Sequence, residues 1–229
     1  MFDVETLQKN INYTFKDTSL IFNAMCHSSY SNEHKNTKSN ERMEFLGDAI
    51  LDMIVSKRLY DMHKDVDEGV LSKMRAAIVR EESLAMLARK VKLDEFLLLG
   101  QSERMVSGNQ KPSVLSDCFE AVVAAIFIDG GFCAAKDWLD SIINDSVYEK
   151  PEVLYCDYKT VLQEYLQSKG SFVRYVVTKE SGPDHEKVYE IEARVDGKCV
   201  GVGANKTKKQ AEQDAAKNTL EYYEVKVCF

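Results

Sequence analysis

A stripe of carboxylates along an otherwise apolar helix constrains this chain more than any other feature. Residues 40–52 read Asn-Glu-Arg-Met-Glu-Phe-Leu-Gly-Asp-Ala-Ile-Leu-Asp. At about 100° per residue, Glu41, Glu44 and Asp48 lie within roughly 60° of one another, and Asp52 falls on the same stripe one turn on. Met43, Phe45, Leu46, Ala49, Ile50, Leu51, Ile54 and Val55 cover most of the remaining circumference, the pattern of a helix that is normally buried. Buried carboxylates are unfavourable unless paired or metal-bound, and Arg42 sits on the opposite side. Taken alone, such a pattern is more often a salt-bridged surface edge. Asn40, ending a polar loop over 31–39, is expected to cap the helix, which should run to about Met62.

A second helix repeats the puzzle. Pro112-Ser113 opens a strongly apolar run, Val114 to Ile128, that Gly130-Gly131 should stop. Asp117 and Glu120, spaced i, i+3, share one of its faces. Two apolar helices, each with an acidic stripe, are most economically explained if the stripes face each other. That makes an oxygen-ligand site suited to Mg²⁺ or Mn²⁺. Spacing alone leaves this reading and the surface-edge reading both open.

The rest of the first 150 residues also reads as helical. Two short helices precede Cys26-His27-Ser28-Ser29-Tyr30. Helices follow through Leu71–Arg80 and Leu84–Val91, and a last one runs from Ala134 to about Val147. Pro151 breaks the pattern, and residues 151–156 are taken as a linker. Beyond it the texture changes: a helix over Asp157–Lys169, strand-like runs at Phe172–Lys179, Val188–Val195 and Lys198–Gly203, and a closing helix over Lys206–Tyr223. Asp196-Gly197 is a hairpin signal. The expected organisation is multidomain, with an all-α domain over 1–150 and a small α+β module over 157–226, ordered α-β-β-β-α.

The net charge of −7 argues at first against a polyanionic partner. Residues 1–150 carry 18 basic against 24 acidic residues, and residues 151–229 carry 12 against 13. Within the second part, Gly197–Ala211 holds Lys198, Lys206, Lys208 and Lys209 and no acid. Local patches, not totals, bind phosphate. The six cysteines are scattered without a C-x-x-C pair, which argues against zinc and for a reduced, cytoplasmic protein. No export signal is expected in the first residues, and no apolar segment is expected to approach a membrane span of about 20 residues.

Residues 40–51 resemble the signature of the ribonuclease III family, E-R-L-E-F-L-G-D-A-V-L, with Met43 and Ile50 as the departures. Ser116-Asp117-x-x-Glu120-Ala121 is similar to its second acidic motif, and Asp67-Glu68-Gly69-x-Leu71-Ser72-x-x-Arg75-Ala76 to a third. His27-Ser28 matches its T-H-x-S segment, with Cys26 in place of Thr. The resemblance implies an all-α endonuclease domain that forms a homodimer and cuts double-stranded RNA with Mg²⁺, for which Mn²⁺ should substitute. By motif position it implies Glu44, Asp48, Asp117 and Glu120 as metal ligands, with Asp48 and Glu120 catalytic. Glu41 would orient a water or ligand at the edge, Glu68 would help cleavage or positioning, and Phe45 would be the apolar knob of the dimer contact. His27 reads as structural or backbone-contacting rather than catalytic, and Asp52 as an outer or structural residue.

The second module resembles a double-stranded RNA-binding domain in Asp157-Tyr-Lys-Thr-Val-Leu-Gln-Glu, in Gly182-Pro-Asp-His185, and in Lys206-Thr-Lys-Lys-Gln-Ala-Glu-Gln213. Such domains read duplex shape across two minor grooves and the intervening major-groove phosphates. The resemblance implies Lys206, Lys208 and Lys209 at phosphates, with Thr160, Gln163, Glu164 and His185 toward the minor grooves. Asn205 replaces a Gly of the usual pattern and is expected to tolerate a left-handed backbone.

The leading expectation is a homodimeric, Mg²⁺-dependent endoribonuclease that leaves 5′-phosphates and short 3′ overhangs and processes ribosomal and other structured RNA precursors. A non-cleaving RNA-binding regulator is the alternative. A helical di-metal oxidoreductase would require Glu-x-x-His pairs, which neither acidic helix carries.

Overall fold

The computed structural model describes residues 2–149, 151, 158–182 and 187–225 and divides into two units, Met1–Tyr155 and Cys156–Phe229. Residues 152–156 of the expected linker, the Pro183–His185 segment and the tail beyond residue 225 lie outside the described residues.

The first unit is helical: α1 (Val4–Ile11), α2 (Thr18–Ala24), α3 (Ser28–Glu33), α4 (Glu41–Met62), α5 (Glu68–Val79), α6 (Glu81–Lys90), α7 (Gln101–Met105), α8 (Pro112–Ile142) and α9 (Asp145–Glu149). Its core is the seam between α4 and α8, flanked by α6 and α2. From α4 come Ile50, Leu51, Ile54, Val55 and Leu59; from α8 come Leu115, Phe119, Val122, Val123 and Ile126. Aliphatic and aromatic side chains at these positions supply most of the favourable free energy of such a seam.

Several expectations are corrected here. The α4 helix is buried on one face only: Phe45 is 81% exposed, Met53 51% and Tyr60 70%, although periodicity implied burial almost all round. The first unit's core takes up only the α8-facing stripe. Asn40 precedes α4 but makes no side-chain cap bond; it is buried, and its Nδ2 donates to Ala24 O at 3.3 Å. Residues 28–33, expected to be loop from Ser31 on, form α3, whose first turn is capped by His27 Nδ1 accepting from Ser29 N. The expected stop at Gly130-Gly131 falls inside α8 as a break: Gly131 is non-helical, with φ 80° and ψ −175°, and divides α8 into two helical segments, a conformation suited to glycine. The second segment stops at Ile142 because Ile143 is extended, and the Asn144 side chain restarts the chain as α9 by accepting from Val147 N.

Helix α8 is long and apolar enough, by length and composition, to cross a membrane, but Asp117, Glu120, Asp129 and the break at Gly131 interrupt it. A core helix passes the same test, and half of its apolar window is buried inside this unit.

The second unit contains α10 (Tyr158–Ser168), β1 (Val173–Ser181), β2 (Val188–Val195), β3 (Lys198–Asn205) and α11 (Lys208–Tyr222). The strands form an antiparallel sheet in the order β1-β2-β3, with Val173 opposite Val195 and Val195 opposite Lys198. Asp196 and Gly197 both take positive φ, 49° and 85°, as a tight two-residue hairpin requires. Ile191, Ala193 and Val195 alternate inward along β2. The helices cover one face, with Leu162, Leu166, Ala216 and Leu220 in the core. Gly201 and Gly203 let α11 lie on β3: a Cβ on Gly203 would stand 2.2 Å from Ala211 O.

Candidate metal centre and nucleic-acid interface

The first site begins with a missing side chain. A Cβ on Gly47 would stand 1.8 Å from the carbonyl oxygen of Glu120, so only glycine lets α4 and α8 approach this closely. One turn before Gly47, α4 carries Glu44; at the contact point α8 carries Asp117 and Glu120. Carboxylate oxygens of Glu44, Asp117 and Glu120 all lie within 4.8 Å of one another, and all three side chains are half-buried. The two acidic stripes face each other.

Electrostatics show what this convergence imposes. Burial first, then the charges of Asp48, Asp117, Glu44 and Asp52, push Glu120 up to about 8. Glu44 is raised by burial and by Asp117, Glu41 and Asp48. Asp117 is raised by burial and by Glu81, with His27 acting in the opposite direction. Among the described residues, no lysine or arginine counters Glu44, Asp117 or Glu120. Converging oxygen ligands with mutual repulsion and no lysine or arginine beside them fit a hard divalent ion, which takes carboxylates and reverses these shifts.

Asp48 is exposed and stands outside the group of three, yet among the neighbouring charges it acts most strongly on Glu120. Glu41 is exposed at the edge and accepts from Ser39 Oγ at 2.7 Å. Glu68, exposed at the start of α5, accepts from Ser72 Oγ at 2.7 Å. Gly47, Glu81 and the electrostatic reach of His27 escaped the sequence reading. Gly47 stood in plain view within the motif; its role needed the partner helix.

In the second unit, Lys206, Lys208 and Lys209 are exposed around the start of α11. Thr207 caps that helix, its side chain accepting from Gln210 N at 3.2 Å. Asn205 does not enter the left-handed region; it ends β3, accepts from Lys206 N at 2.8 Å and donates to Asp214 at 2.9 Å. The replacement of Gly is thus explained by hydrogen bonding, not backbone freedom. Lys208 Nζ pairs with Glu180 at 3.0 Å and lies 5.0 Å from the Tyr189 ring centre. Thr160, Gln163 and Glu164 are exposed on α10, and His185 is outside the described residues.

Comparison with known proteins agrees with both units. Residues 17–146 match the Ribonuclease-III-like family, and residues 158–223 match the Double-stranded RNA binding motif. A ribonuclease 3 from Caldanaerobacter subterraneus subsp. tengcongensis is 42% identical over 217 residues, covering 93% of this chain and 95% of the relative. Two solved structures of the nuclease domain of ribonuclease III from Campylobacter jejuni superpose with a TM-score of 0.59 at 40% identity. They cover 64% and 62% of this chain and 97% of theirs, and one is described by its structural flexibility in a region involved in dimer formation. A helical unit with converging carboxylates, a sheet-and-helix unit with lysines at a helix start, and these matches have one common reading: the chain belongs to the ribonuclease III family, as an endoribonuclease with a double-stranded RNA-binding domain.

Proposed function

We propose that this protein is a Mg²⁺-dependent, double-strand-specific endoribonuclease that works as a homodimer, cutting each strand once to leave 5′-phosphates and short 3′ overhangs. Its substrates are ribosomal and other structured RNA precursors, and its compartment is the cytoplasm. The observation that carries the reading is the approach of Glu44, Asp117 and Glu120 to within 4.8 Å with no lysine or arginine acting on them among the described residues.

Glu44, Asp48, Asp117 and Glu120 would hold the ion, with Mn²⁺ able to replace Mg²⁺. A bound divalent ion supplies the charge that makes a water nucleophilic and stabilises the departing 3′-oxygen. The protein's part is geometric and electrostatic. Gly47 sets the distance between the ligand-bearing helices, Glu120 and Asp48 would give their carboxylate oxygens to the ion beside the reacting phosphate, and Glu41 would orient a water at the edge. Glu68 positions substrate.

The exposed Phe45 and Met53 belong under a second copy of the chain. A groove lined by Asn23, Arg42, Met43, Leu46 and Ile128 offers a hole for such a knob. In the second unit, Lys206, Lys208 and Lys209 meet phosphates where the helix N-terminus already favours anions. Thr160, Gln163, Glu164 and His185 reach the minor grooves.

The Glu120→Gln protein should bind a long duplex with near-normal affinity and fail to cut it in Mg²⁺, in gel-shift and cleavage assays on one preparation. Undiminished cutting would sink the site assignment. Absence of cutting by the unmutated protein would favour a non-cleaving RNA-binding regulator.

A further inference from the structure

The acidic stripe of α4 continues beyond the metal centre. Asp52 and Ser56 follow Asp48 at four-residue intervals, on the same face. Here the cation comes from the protein. Arg75 of α5 donates from Nη1 to Ser56 Oγ at 3.1 Å, and its Nε stands 3.9 Å from Asp52 Oδ2. Burial raises Asp52, and Arg75 acts against that rise. The other Asp52 oxygen is buried and has no hydrogen-bond partner among the described residues.

These contacts are a poor account of stability. The Asp52 and Arg75 side chains are 38% and 40% exposed, and exposed pairs contribute little. Their geometry is more telling. A planar guanidinium that reaches two successive turns of α4 resists both sliding and rotation of α5, which a single-point lysine contact would not. On α5, Glu68, Ser72 and Arg75 are spaced i, i+4, i+7 and share a face. All three line one groove with Ser56 and Tyr60 of α4. Arg75 anchors the far end of that face, and Ser72 holds the Glu68 carboxylate at the near end.

We infer that Arg75, through Asp52 and Ser56, is a positioning residue for cleavage: it fixes where α5 presents Glu68. This rests on the proposed role of Glu68. The acid acts on substrate, and the guanidinium acts through the acid.

The test compares kcat and KM on a long RNA duplex in Mg²⁺ for the full-length protein and for Glu68→Gln, Arg75→Met, Arg75→Lys and both double variants with Glu68→Gln. Displacement of a positioned group by about 1 Å can lower a rate by about 100-fold. Arg75→Met should therefore lose about 10- to 100-fold in kcat with KM within about twofold. In the Glu68→Gln background the same change should add almost nothing, because both losses pass through one carboxylate. Arg75→Lys, which keeps the charge and loses the fork, should remain slow; it also carries the comparison if Arg75→Met fails to fold. Full kcat in the Arg75 variants while Glu68→Gln is slow overturns the inference alone, as do losses that multiply in the double variants. Full kcat for Glu68→Gln overturns the role of Glu68 itself, and the inference with it.

Discussion

The two units of this molecule prepare for the same polyanion in opposite ways. In the first, carboxylates converge between α4 and α8 with no lysine or arginine beside them among the described residues, and burial drives Glu120 up to about 8. In the second, Lys206, Lys208 and Lys209 stand exposed at the start of α11, and Lys208 is occupied by Glu180 and the Tyr189 ring. One site is frustrated until a cation arrives; the other is satisfied until a phosphate displaces its partner. The contrast explains why the net charge of −7 misleads. Acid in the first unit recruits the ion that chemistry on RNA needs, and base in the second is concentrated where the backbone lies.

The largest effect should come from spoiling the helix contact that creates the frustration. A methyl at position 47 meets the Glu120 backbone at 1.8 Å, so α4 and α8 must separate in Gly47→Ala. Overpacking of this kind destabilises by about 1–3 kcal/mol or more, and a ligand shift of about 1 Å should cut activity by about 100-fold. Thermal melts and cleavage rates should both fall, while duplex binding by the second unit stays within a few-fold. A Gly47→Ala protein with normal cleavage would show that the approach of the helices is unrelated to the site.

This residue also shows what was legible in the sequence. The stripes on α4 and α8 could be read because helical period is local, and the Asp196-Gly197 hairpin because its backbone demand is local. The unfavourable burial of unpaired carboxylates made facing of the stripes one of two open readings, and the family resemblance then favoured it. Gly47, Arg75 and Asn40 could not be assigned in the same way, since each acts on a group distant in sequence: Glu120, Asp52 and Ala24. Periodicity alone hid the exposure of Phe45, which the family resemblance implied by making it the knob of a dimer contact. Periodicity reports that a face is apolar, not whether this chain or another covers it.

The next effect concerns protons. In the metal-free protein Glu120 keeps its proton to about pH 8, against 4.5 ordinarily. The folded state therefore holds an extra proton between those values, and its contribution to stability, complete below about 4.5, is lost as pH rises through about 8. A divalent ion must displace that proton, so its apparent affinity should tighten by up to about tenfold per pH unit below pH 8 and level off above it. Melting temperatures in Mg²⁺ and in chelator should diverge from pH 6 to 8.5. A constant gap across that range would mean that the ion does not bind at Glu120.

On the lysine side the expected changes are smaller and tied to salt. Lys208→Ala should weaken duplex binding about equally for all sequences and lower the slope of log affinity against log salt by about 1. Glu180→Gln should act in the opposite direction, tightening binding a few-fold at low salt and hardly at all near 1 M, where exposed charges are screened beyond about 3 Å. Identical salt slopes for Lys208→Ala and the unmutated protein would remove this lysine from the phosphate contact.

The smallest effect should separate the order of the lysines from their charge. Thr207 accepts from Gln210 N and closes the first turn of α11, the turn that carries Lys208 and Lys209. Thr207→Ala leaves every charge in place and exposes an unpaired N–H, which destabilises the unit by about 1 kcal/mol. Duplex affinity should fall less than in Lys208→Ala, with the salt slope unchanged because the same phosphates are neutralised. Thr207→Ser, which retains the cap oxygen, should restore both stability and affinity. If Thr207→Ala instead lowers the salt slope as Lys208→Ala does, the first turn has frayed enough to withdraw a lysine. The second site would then be as dependent on preorganisation as the first.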